Sequence, residues 1–135
     1  YHAYIDQYGK VYQVNNLKER RAHAGNANDY SIGVVMCGDW RLQSGVKNED
    51  LAASPQQYKA LVWTLAHLQN TYPQFTNIVS HQSLSPSNRS DPNLHMDELV
   101  ADVKKKRLSQ LIVKWGFLAL LVGFTIALGR KVLYY

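Results

Sequence analysis

Residues 54–72 read "SPQQYKALVWTLAHLQNTY", and this stretch decides what the rest of the fold must be. Ser54 followed by Pro55 is a helix start: a side-chain oxygen to cap free N–H groups, then a residue whose missing N–H costs nothing in a first turn. Tyr58, Leu61, Val62, Leu65 and Leu68 then recur at helical spacing and share one apolar face. Pro73 ends the run. An amphipathic helix of this length needs a surface to cover, and the preceding residues supply it.

Upstream, "YHAYID" (1–6) and "KVYQVN" (10–15) flank "QYG" (7–9), the pattern of a β-hairpin turning on a glycine. A polar stretch, "NLKERRAHAGNANDY" (16–30), separates them from "SIGVVMCGD" (31–39). That continuous apolar run predicts a central strand covered on both faces. Residues 41–53 read as a loop, "TNIVSH" (76–81) as a short strand and "MDELVADVKKKRLSQ" (96–110) as a second helix. The expected class is α/β, a mixed central β-sheet flanked by α-helices. Cys37, the single cysteine, can form no internal disulfide and fits the strand as a small apolar residue.

The formal charge of +5 is unevenly placed. Residues 1–103 carry eight Lys/Arg against ten Asp/Glu, while 104–135 carry seven Lys/Arg and no acid. Basic residues gathered beside an apolar run point to a lipid surface and away from nucleic acid. From Leu111 to Gly129 only Lys114 is charged. Nineteen helical residues span roughly 28 Å, close to the ~30 Å hydrocarbon core. Trp115 and Tyr134-Tyr135 stand at its ends as interfacial aromatics. The expected organisation is therefore a domain at 1–103, a basic juxtamembrane segment at 104–110, a transmembrane helix at 111–129 and a short tail at 130–135. The basic residues cluster ahead of the span, which favours a cytoplasmic domain.

One further stretch concerns chemistry. "SHQSLSPSNRSDP" (80–92) joins His81 to Asp91 through a proline-broken, serine-rich loop. Each residue alone has a plain structural reading, as a polar group at a strand end and a cap before Pro92. Together, with His2, His23 and His67 earlier in the chain, they also suit zinc, which takes imidazole nitrogen and carboxylate oxygen.

Five pieces arrive in one order: "YHAYIDQYGKVYQ", "RAHAG", "NDYSIGVVMCGD", "SPQQYKALVWTLAHL" and "IVSHQSLSPSNRSDP". Over residues 1–103 they resemble the zinc-dependent N-acetylmuramoyl-L-alanine amidases, a family that includes phage endolysins and peptidoglycan recognition proteins. The resemblance implies that His81 and Asp91 are zinc ligands. It places the family's first histidine ligand on a strand ahead of Tyr1, so the domain is expected to be N-terminally incomplete. His2, beside the motif, does not match a ligand position. Tyr1 matches a tyrosine near the attacking water, and the position where other members carry a glutamate is Val35. Arg89 falls where a cation would hold the developing oxyanion, and His23 matches a substrate-contacting histidine.

The implied activity is hydrolysis of the amide between N-acetylmuramic acid and L-alanine of peptidoglycan. The expected protein is membrane-anchored, in a host inner membrane or a phage virion membrane, and acts in phage lysis or infection. A peptidoglycan-binding module without catalysis, tethered in the same way, is the alternative.

Overall fold

A computed structural model describes residues 1–38, 53–84 and 94–132, with side chains described as far as Leu118. Three short strands form the sheet: β1 (Ala3–Ile5), β2 (Val11–Gln13) and β3 (Val34–Met36). Their order is β2-β1-β3, with β1 antiparallel to β2 and parallel to β3. Among the described strands β1, not β3, is therefore central. The apolar run at 31–39 was expected to be covered on both faces, yet Val34 and Val35 are only half-buried.

The β1–β2 hairpin forms as its sequence predicts. The Asp6 carboxylate accepts from the backbone N–H of Tyr8 (2.9 Å) and of Lys10 (2.8 Å), holding the turn from inside. Gly9 takes a φ of +82°, and a β-carbon there would lie 2.6 Å from the Gln56 carbonyl oxygen. The turn thus sits directly against the start of the first helix.

That helix, α1 (Pro55–Thr71), begins with a complete capping box. The Ser54 hydroxyl accepts from the Gln57 N–H, and the Gln57 side chain accepts from the Ser54 N–H. The amide of Gln57 also donates to the Cys37 carbonyl (2.8 Å), tying the helix start to the end of β3. Leu61 is buried, and Tyr58, Val62 and Leu65 pack against the core as the spacing required. Gln57, Thr64 and Gln69 are buried as well, because α1 is covered by the sheet and by α3 together.

No strand forms at 76–81, contrary to expectation. The Gln69 side chain donates to the carbonyls of Phe75 and Thr76, both at 3.0 Å, and so occupies acceptors that a strand would offer a neighbour. His81 instead opens a single-turn helix, α2 (His81–Leu84). Helix α3 (Met96–Val132) runs unbroken through residues 104 and 111. Its first turns bury Leu99 and Val103 in a core shared with Ile5, Met36, Leu61 and Ala66. Among the described residues no helix is long and apolar enough to cross a membrane. The span expected over 111–129 is thus not shown, its side chains being described only to Leu118.

Candidate active site

The polar stretch between the hairpin and β3 folds around two histidines. His2 is 1% exposed, and both ring nitrogens are committed. Nε2–H donates to the Glu19 carbonyl (2.8 Å), and Nδ1 accepts from the Gly33 N–H (3.1 Å). Both ring nitrogens of His2 are thus engaged by backbone groups.

His23 packs edge-on against His2, with centroids 5.3 Å apart and planes at 77°. Its other neighbour is the ring of Tyr1, at 6.2 Å. The Asn28 side chain accepts from the backbone N–H of His23 (2.9 Å) and of Ala24 (2.8 Å), which fixes the bend that carries the imidazole inward. Nδ1 faces the Arg21 carbonyl at 2.6 Å, so the proton sits there, and Nε2 meets the Ser31 hydroxyl at 2.8 Å. The Ser31 hydroxyl has one proton for two acceptors, Nε2 and the Ala27 carbonyl, which lie on either side of it. Burial lowers the His23 pKa from its ordinary value; the Arg21 carbonyl opposes that shift, and His2, the chain's amino terminus and His81 add to it.

Tyr1 and His81 line one cavity of about 420 Å³ that runs between β3 and α1. Ser31 and Gln69 add polar groups to its wall, and Leu61, Leu65 and Phe75 make it mainly apolar. Tyr1 and His81 thus both line the cavity, and the His23 ring lies 6.2 Å from that of Tyr1 without being part of the lining. Arg89 and Asp91 lie outside the described residues. The donor types suit zinc in kind, imidazole and carboxylate, but the described residues bring only His81 to the cavity. Among them no group of three His, Cys, Asp or Glu side chains is placed to hold a metal ion.

Sequence reading passed over Ser31 and Gly33. The signal was there in the glycine: a β-carbon at Gly33 would stand 2.6 Å from the His23 ring. Only a residue without a side chain admits the imidazole at that point.

A small mixed sheet packed with helices, and one cavity lined by both Tyr1 and His81, make an α/β domain with a single candidate site among the described residues. The chain belongs to the N-acetylmuramoyl-L-alanine amidase family, whose model matches residues 1–94. It is also similar to the 1,6-anhydro-N-acetylmuramyl-L-alanine amidase AmpD of Haemophilus influenzae, 30% identical over 101 residues. That alignment covers 71% of this chain and 53% of the relative, so the chain spans about half the length of the curated relative it matches. No solved structure matches it.

Proposed function

We propose that the protein hydrolyses the amide bond between the lactyl group of N-acetylmuramic acid and the L-alanine that opens the peptidoglycan stem peptide. The single observation that carries this reading is that Tyr1 and His81, far apart in sequence, line one cavity in a chain of the amidase family. In this reading the Tyr1 phenol orients the attacking water through a hydrogen bond. The His23 ring, 6.2 Å from that of Tyr1, helps to hold the phenol at the cavity. Arg89 holds the negative charge that develops on the carbonyl oxygen. His81 and Asp91 would hold a zinc ion, which when bound supplies Lewis acidity toward the scissile carbonyl.

The tail supports a further part of the reading. The run without charge from Trp115 to Gly129, preceded by Lys104 to Arg107, suits an amidase anchored in a lipid bilayer. Such an anchor would hold a wall-cutting enzyme in reserve at a host inner membrane or a virion membrane, as phage lysis or infection requires.

Purified peptidoglycan incubated with the protein should release free stem peptides, and His81→Ala should abolish the release. The alternative, a wall-binding module without catalysis, is the other outcome of the same assay. Binding to peptidoglycan with no peptide release, with or without added zinc, would establish that reading in place of the first.

A further inference from the structure

Helix α3 does three things along one uninterrupted axis. Met96 and Leu99 form part of the wall of the cavity that Tyr1 and His81 share. The middle is pinned to α1 at two heights: the Tyr58 hydroxyl donates to Asp102 (2.9 Å), and Arg107 Nε donates to the Asn70 side-chain oxygen (2.9 Å). The Asn70 amide donates onward to Gln110 (3.0 Å), so the last tie to the domain falls one residue before the apolar run.

Beyond that tie, as far as side chains are described, the apolar residues after Leu111 lack cover. Ile112, Val113, Trp115, Phe117 and Leu118 are all exposed. At ~100° per residue they fall around the whole circumference. A single docked helix covers one side only, whereas a solvent of acyl chains covers every side. Lys104, Lys105 and Lys106 are exposed just before this collar, and Lys114 lies within it. Cations at that level complement anionic headgroups.

We propose that α3 is a one-piece strut that joins the cavity wall to an anionic lipid bilayer, so that the catalytic domain stands at a fixed orientation to the membrane instead of swinging on a tether. This rests on the bilayer attachment proposed above. At ~1.5 Å per residue the 37-residue helix is about 55 Å long. No glycine lies between Met96 and Trp115 to hinge it.

The test uses the full chain with vesicles of phosphatidylcholine and phosphatidylglycerol. A fluorophore on Tyr8→Cys, in a Cys37→Ser background, reports energy transfer to acceptor-labelled headgroups. The unaltered strut should give one narrow distance distribution. Inserting Gly-Pro-Gly between Gln110 and Leu111 should broaden it while leaving vesicle co-sedimentation and the unfolding temperature unchanged. Equal distributions in the two proteins would overturn the strut and leave the bilayer attachment standing. Failure of the unmodified chain to co-sediment would instead remove the attachment itself. Charge reversal of Lys104, Lys105 and Lys106 to Glu should weaken association with these vesicles about tenfold or more at low salt. An unchanged association would refute the headgroup contact.

Discussion

The His23 imidazole rests on Gly33 so closely that a β-carbon at that glycine would lie 2.6 to 2.9 Å from three of its ring and side-chain carbons. The same glycine exchanges backbone contacts with His2, its N–H going to the His2 ring and its carbonyl accepting the His2 N–H at 2.8 Å. Gly33 is thus the point where three separate pieces of sequence meet.

Gly33→Ala should therefore expel the His23 ring. Overpacking of this kind costs about 1–3 kcal/mol. A drop in the unfolding midpoint on urea titration checks it, and the folded fraction should release stem peptide more slowly because Tyr1 loses its backing.

The lowered His23 pKa makes stability depend on pH. A histidine that binds its proton more weakly folded than unfolded contributes stability that is complete above the unfolded value. That contribution fades as pH falls below the ordinary 6.5. Thermal unfolding followed from pH 7.5 down to 5 should show this loss, and His23→Gln should flatten that part of the curve.

At the cavity, Tyr1→Phe keeps the ring against His23 and removes only the hydroxyl. Loss of the hydrogen bond that orients the attacking water lowers the rate by about 10²-fold, the scale of a misplaced reactant. Peptide release should fall in kcat with KM little changed, and the thermal midpoint should stay where it was.

The capping box offers a test of the scaffold alone. Ser54→Ala removes the acceptor for the Gln57 N–H, a loss of about 1 kcal/mol by the usual measure of N-caps. Denaturant unfolding should register it, with the rate per folded molecule unaltered.

The sequence announces its hairpin and α1 clearly, since Asp6, Gly9, Ser54 and Pro55 act on backbone atoms within a few residues of themselves. It misleads at 76–81, where the deciding partner is Gln69, a side chain on the preceding helix that no local pattern reveals. The order of strands was hidden too, because an apolar run does not say which neighbour it pairs with. Of the site, His81 stood out with Asp91 across the serine-rich loop, whereas Tyr1 could be singled out only by resemblance to known amidases. Both line one cavity because β1, which follows Tyr1, pairs in parallel with β3, whose residues 34–36 form part of the same wall as His81. Ser31 escaped notice because its partner, His23, is eight residues away across a bend held by Asn28.

Gln57 carries two duties with one amide: its oxygen closes the first turn of α1 and its nitrogen reaches the Cys37 carbonyl. A glutamate would serve the turn equally but would set a negative charge against that carbonyl. The choice of glutamine means that the turn's closing group is oriented by the sheet, so initiating α1 and docking it are a single event. A peptide cut from residues 54–72 should accordingly be a poorer helix than its composition suggests, and the domain should gain or lose this layer all at once.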